Sequence, residues 1–287
     1  MIYKTEKGQD IFLKYYDTFL SSLNVSFDEC YVNTRFGRTH VLEIGPKTGK
    51  PIFVLHGGNS VNADTLSFYL PLCKKYRIYS PDLIGHPGKS DQKRLSIKDL
   101  SYGQWATDVV TALNLAPIPF LGTSYGGSIA LYTASFNPDI IEKAALVVPG
   151  SIAMANNITM GMKVMWPLIS YRLLGGQKRL ERFTRQIVED PSELTCEGIK
   201  LSFEHLKMNS LLPIISKNQL EKYKRKTLLI CSENDLFFPA KKVVPRSKKI
   251  IENITDIMVL KNSRHYPGKQ YLLDINNKID KFFKDER

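Results

Sequence analysis

Cysteine is scarce in this sequence, and the four present (Cys30, Cys73, Cys196 and Cys231) stand far apart with no Cys-x-x-Cys pair. That spacing argues against both a disulfide framework and a zinc site. No uncharged apolar run reaches the ~20 residues that a membrane-crossing helix needs. The opening stretch MIYKTEKGQDIFLKYY places Lys, Glu and Asp ahead of any apolar run, unlike a secretory signal. Internal repeats, low-complexity linkers, RNA-binding signatures and recognition-helix patterns are also missing. These absences predict a soluble, reduced, cytoplasmic protein with no metal and no cofactor, acting on a small molecule and associating with neither nucleic acid nor membrane. Positive charge, in contrast, is plentiful: 40 Lys and Arg against 28 Asp and Glu give a formal net charge of +12. The cations are scattered, with only short clusters such as KYKRK (222–226) and PRSKK (245–249), which reads as a solvated basic surface.

With 287 residues, 43% of them apolar, the chain is long enough to hide roughly three-quarters of its unfolded surface and still enclose a pocket. Residues 11–23 place Phe12, Tyr15, Tyr16, Phe19, Leu20 and Leu23 at helical spacing, which predicts an amphipathic helix. Residues 29–35 and 39–44 read as two strands around a Phe-Gly turn. From residue 51 short apolar runs alternate with longer helical stretches. PIFVLHG, YRIYSPDL, IPFLGTS and KAALVVPG read as strands. ADTLSFYLPLCKK, SIKDLSYGQWATDVVTALN and GGSIALYTASF read as the helices between them. Strands apolar on both faces, alternating with helices, predict an α/β fold with a mostly parallel central sheet and helices on both faces. The alternation stops over 151–225, which reads as helical and rich in Met, Leu and Ile. It resumes with KTLLICS, AKKVVPRSKKIIEN, DIMVLKNS and QYLLDINNKIDKFFKD. The expected organisation is therefore a core domain of residues 1–150 and 226–287, with a helical cap of residues 151–225 inserted in it.

Ligands of open parallel sheets sit beyond the C-terminal ends of the strands. The residues at those ends are His56-Gly57-Gly58-Asn59, Pro81-Asp82, Gly122-Thr123-Ser124, Glu233 and Asp235, and Ser263-Arg264-His265. Gly122-Thr123-Ser124-Tyr125-Gly126 matches G-x-S-x-G. The pattern is weak alone, but a strand before it and a helix after it are what a nucleophile elbow requires. Ser124 would then stand at a helix N-terminus, where free N–H groups favour a developing anion. A hydroxyl needs a base. Of the five histidines, His40 lies in an early strand, His205 lies in the insertion, and His56 reads as ordering its own loop. His265 and His86 remain as candidates at the right edge. The supporting acid is read as Asp235, with Glu233 as the alternative; the loop after AALVV contains no carboxylate. The backbone N–H of Tyr125 and that of Gly58, with Asn59 beside it, are the expected oxyanion donors.

In VLHGGNS, SPDLIGHPGKSD, LGTSYGGSIAL, CSENDLFFP and NSRHYP, in that order, the chain resembles the α/β-hydrolase fold superfamily, capped serine esterases in particular. The likeness runs from about Val32 to the C-terminus. It implies Ser124 as nucleophile, Asp235 as acid, His265 as base, and Gly58 and Tyr125 as oxyanion donors. Two departures stand out. Pro87 adds a residue between Gly85 and Gly88 in the second block, and Ser232 stands where a glycine is common before the acid. Within the insertion, Met154, Met162 and Trp166 are candidates for lining an apolar pocket, together with Asn59. The expected activity is cleavage of carboxylic esters of small to medium, mostly apolar substrates through an acyl-enzyme. Amide, thioester or carbon–carbon cleavage, and ligand binding with little turnover, are alternatives on the same scaffold.

Overall fold

The computed structural model describes residues 1–208 and 210–285. After α1 (Glu6–Ser22) come two strands, β1 (Phe27–Thr34) and β2 (Gly37–Ile44), and then β3 (Lys50–Leu55). Residues 62–73 form two short helices, α2 (Asn62–Ser67) and α3 (Leu70–Cys73). The apolar pattern predicts a single helix there. Pro71 breaks it, because its missing N–H would have bonded the carbonyl of Ser67, the last residue of α2. Next are β4 (Tyr76–Pro81), α4 (Ser101–Ala112), β5 (Ile118–Thr123), α5 (Tyr125–Phe136) and β6 (Ile141–Val147). The α4 helix starts five residues later than its pattern suggests, where the Asp99 carboxylate accepts the Ser101 N–H at 2.9 Å.

The inserted segment contains α6 (Asn157–Met160), a π turn (Gly161–Met165) and α7 (Trp166–Leu174), which run end to end. The helices α8 (Gln177–Ile187) and α9 (Glu193–His205) follow. The chain then returns through β7 (Thr227–Ser232), α10 (Ala240–Ile250), β8 (Ile254–Leu260) and α11 (Lys269–Lys284).

The eight strands form one sheet in the order β1-β2-β4-β3-β5-β6-β7-β8. β1 and β2 are antiparallel to their neighbours, and from β4 to β8 every pairing is parallel. Successive strand residues enter opposite layers, as a pleated strand dictates. Phe53, Leu55 and Phe120 pack with α4, α5 and α10, whereas Ile52, Val54 and Leu121 pack with α1, α2, α3 and α11. Covered on both faces, the sheet leaves its C-terminal edge as the place where loops converge. Among the described residues no helix is long and apolar enough to cross a membrane. No group of His, Cys, Asp and Glu among them could hold a metal ion.

Candidate active site

Ser124 is the hinge between β5 and α5. Its φ of 52° and ψ of −110° lie outside the regions that L residues favour. The turn closes because glycines let backbone approach backbone: a Cβ on Gly126 would lie 2.1 Å from the Leu55 carbonyl oxygen. Bonds from both sides hold the strained residue, with the Ser124 N–H donating to Val147 O at 2.9 Å and its carbonyl accepting the Gly150 N–H at 3.0 Å. A second residue at this edge is also forced into the left-handed region: Val148, at φ 43°, one step beyond the end of β6.

The Ser124 Oγ lies 2.9 Å from Nε2 of His265, and Nδ1 of His265 lies 2.7 Å from Oδ2 of Asp235. The other carboxylate oxygen of Asp235 accepts the N–H groups of Phe237 and Phe238 at 2.7 and 3.0 Å, so both of its oxygens are fixed. Both groups are buried, and the rings of Phe237, Phe238 and Tyr266 pack around the imidazole. Glu233, the alternative acid, instead accepts the Asn262 N–H at 2.8 Å.

His86, the alternative base, is fully buried, and its Nδ1 accepts the Asn59 N–H at 3.1 Å. That bond puts the proton on Nε2, which has no acceptor among the described residues. Burial holds its pKa well below the ordinary value, reinforced by neighbouring His56 and Arg94, so the ring stays neutral. The loop that carries His86 is tied by Asp82, whose Oδ2 accepts the Lys89 N–H at 2.7 Å and bonds Nδ1 of His40 at 2.9 Å. His56 binds the Gly57 carbonyl through Nδ1 and accepts the Leu83 N–H through Nε2; burial brings its pKa down to about 4.

In the loop after β3, the Gly57 N–H donates to Thr65 Oγ1 at 3.1 Å and the Asn59 N–H is taken by His86. Between them, Gly58 has no acceptor for its N–H among the described residues. It sits against Tyr125, where an added Cβ would come within 3.1 Å of that side chain. As the first residue of α5, Tyr125 presents an N–H with no acceptor inside the helix.

Beside Ser124 lies a small cavity of about 30 Å³, walled by Phe68, Tyr69, Val147, Val148, Tyr266, Leu272 and Ile275. Its polar groups are already engaged: Tyr69 Oη and Thr123 Oγ1 are 2.7 Å apart. Of the candidate lining residues, the structure brings neither Met162 nor Trp166 to this cavity. Both stand on the outer face of the inserted segment, 69% and 67% exposed. Met160, Val164 and Leu168, four positions apart, take the inward side of the run, and residues two positions on from them face the other way. Met154 is half-buried against the main core. Asn59 contributes backbone: at φ 55°, its carbonyl accepts Ser202 Oγ of α9 at 2.9 Å.

The sequence reading also missed Glu189. Its two carboxylate oxygens accept the N–H groups of Arg264 and Gly268, at 2.9 and 2.7 Å, on either side of His265. Val188 pairs with Tyr266, and Asp190 accepts the Lys269 N–H at 2.9 Å. The motif VED gives no hint of this in sequence, because the partners lie some eighty positions away.

A family model described as the alpha/beta hydrolase fold matches residues 50–180. The crystal structure of naproxen esterase (carboxylesterase NP) from Bacillus subtilis superposes with a TM-score of 0.83. It covers 98% of this chain and 100% of its own at 20% identity. This chain has the α/β-hydrolase fold. The crystal structure of carboxylesterase CesB (YbfK) from Bacillus subtilis, with the same fold, gives a TM-score of 0.80 at 21% identity over 98% of this chain and 100% of that chain. The uncharacterized carboxylesterase nap of Bacillus subtilis (strain 168) is 25% identical over 293 residues, 96% of this hydrolase and 93% of its own length.

Proposed function

We propose that this hydrolase is a serine carboxylesterase for small to medium, mostly apolar substrates, and that Ser124, His265 and Asp235 carry out the chemistry. One observation carries the reading: an unbroken line of hydrogen bonds from a doubly fixed carboxylate, through one imidazole, to a serine held in a strained elbow. Similarity to carboxylesterases along nearly the whole chain agrees with it.

Ser124 Oγ attacks the ester carbonyl as His265 Nε2 takes its proton, and Asp235 holds the imidazole in the tautomer that can accept it. The oxyanion is bound by the N–H groups of Gly58 and Tyr125. Gly58 is the loop donor because the N–H groups on either side of it are already engaged. Each such donor contributes about 3 kcal/mol to the transition state. His265 then protonates the departing alcohol. Water, deprotonated by the same nitrogen, cleaves the acyl-enzyme. The apolar walls of the cavity beside Ser124, among them Phe68, Val147, Val148 and Leu272, receive the acyl group. Residues 151–225 act as the cap that keeps bulk water off the site. Four unpaired cysteines fit a reducing, cytoplasmic setting.

The test is covalent labelling. A fluorophosphonate probe is expected to label the native protein once, at Ser124, and Ser124→Ala is expected to lose labelling and at least about 10⁴-fold of kcat on p-nitrophenyl esters. Labelling that persists in the variant removes Ser124 from the mechanism.

A further inference from the structure

The outer face of the cap carries an apolar stripe with nothing packed on it. Along the continuous run from 157 to 174, Ile158, Met162, Trp166, Ile169 and Leu173 recur at spacings of three and four, with Met165 beside Trp166, which gathers them on the outer side of the run. They are 44–76% exposed, among the most exposed large apolar side chains of the molecule, and Ile158, Gly161, Met162 and Trp166 frame a shallow hollow in the stripe. The opposite side of the same run is also apolar. Val164 is buried there, and Met160 and Leu168 pack in the cluster that holds Phe237 and Tyr266, the rings against His265. A helix apolar on both sides is ordinarily buried on both. An exposed apolar stripe of this length on an otherwise charged protein marks an interaction surface.

Charge selects the occupant. Residues 151–180 contain no Asp or Glu and four cations: Lys163, Arg172, Lys178 and Arg179. Lys163 and Arg172 lie on the same run as the stripe, and both are exposed. A second copy of this chain, set face to face on the stripe, would bring these cations against their own counterparts with no carboxylate from the same segment between them. Phosphate headgroups would neutralise them while acyl chains receive the apolar side chains.

We infer that the outer face of the cap docks on an anionic lipid surface, with Ile158, Met162, Trp166, Ile169 and Leu173 entering the acyl boundary and Lys163 and Arg172 meeting the headgroups. The expectation of no membrane contact rested on the lack of a spanning segment, which does not bear on peripheral docking. Docking does not depend on the esterase reading: vesicle binding decides it, and ester hydrolysis serves only as a control for folding.

The molecule supplies its own reporter. It has two tryptophans: Trp105 is fully buried, and Trp166 is exposed in the stripe. Phosphatidylglycerol-containing vesicles are expected to shift the native emission to the blue and to carry the protein down on sedimentation, at least about tenfold more strongly than phosphatidylcholine vesicles, with the preference falling in high salt. The double variant Ile158→Glu, Leu173→Glu is expected to lose binding and the blue shift while hydrolysing a water-soluble short ester at the native rate, which separates lost docking from lost folding or catalysis. Three results overturn the proposal. One is no shift on anionic vesicles. Another is equal binding to phosphatidylcholine vesicles. The third is a dimer in sedimentation velocity whose Trp166 emission is already blue and turns red in the double variant, which makes a second copy the occupant.

Discussion

His86 can accept the Asn59 N–H only while its Nδ1 carries no proton, and burial guarantees that state. The imidazole thereby fixes the loop on which the proposed Gly58 donor sits. Phe fills similar space but accepts nothing. His86→Phe is therefore expected to lower kcat on p-nitrophenyl esters about tenfold with KM nearly unchanged, since a loosened donor weakens the transition state more than the ground state. An equal rise in KM with kcat intact contradicts this. At the level of single residues the sequence was legible where chemistry and strand ends coincide. Ser124, Asp235 and His265 are all residues whose type and position at the sheet edge single them out. His86 satisfies the same criteria, and only its partner in space separates it from a base. Met162 and Trp166 mark the converse failure. Their types suit a pocket, but the run is apolar on two sides, and only its packing through Met160, Val164 and Leu168 decides which side faces inward.

At the scale of elements, the loop between β8 and α11 that carries His265 is held chiefly by the segment following α8. Glu189 satisfies two backbone donors at once, and charged acceptors make stronger bonds than neutral ones. Glu189→Ala leaves both donors without their acceptor. The expected result is a fall in kcat of ten- to a hundredfold, at about 2 kcal/mol for the charged bonds lost, together with faster amide exchange at residues 264–268. Slow exchange there in an impaired variant points to some other cause. The elements themselves were readable wherever period and composition agreed, as in α1, the inner strands, α5 and α11. They were misread where one residue overrules the pattern: Pro71 divides 62–73 into two pieces, and Asp99 starts α4 late. Residues 157–174, 177–187 and 193–205 are helical, but their fastenings to the rest of the molecule could not be read, because they join residues far apart in the chain through backbone atoms.

For the molecule as a whole, acid resistance is set by buried groups whose effects oppose one another. Burial lowers His56 to about 4 and holds His86 well below its ordinary value, so their contribution is present above the unfolded value of 6.5 and is lost as pH falls toward the folded one. Burial raises Asp64 to about 6 against an unfolded 3.8, so its contribution is present below 3.8 and lost as pH rises through about 6. The Asp64 shift, near two pKa units, corresponds to about 3 kcal/mol. Its Oδ2 accepts Ser60 Oγ at 2.7 Å, and Oδ1 has no partner among the described residues. Asp64→Asn keeps the size and removes the buried charge. The variant is expected to melt several degrees above the native protein at pH 7.5 and to lose most of that lead by pH 4.5. Melting curves at the two pH values decide it, and a lead that grows on acidification reverses the sign of the argument.

The Glu189 fastening also bears on how this fold changes over time. A cap is often pictured as an interchangeable module grafted onto a constant engine. Here a graft would have to bring its own carboxylate to the same two amides, or the imidazole it is meant to shelter would drift. Substrate range in this lineage is therefore more readily altered by point changes along the lining of the cavity than by wholesale exchange of the roof.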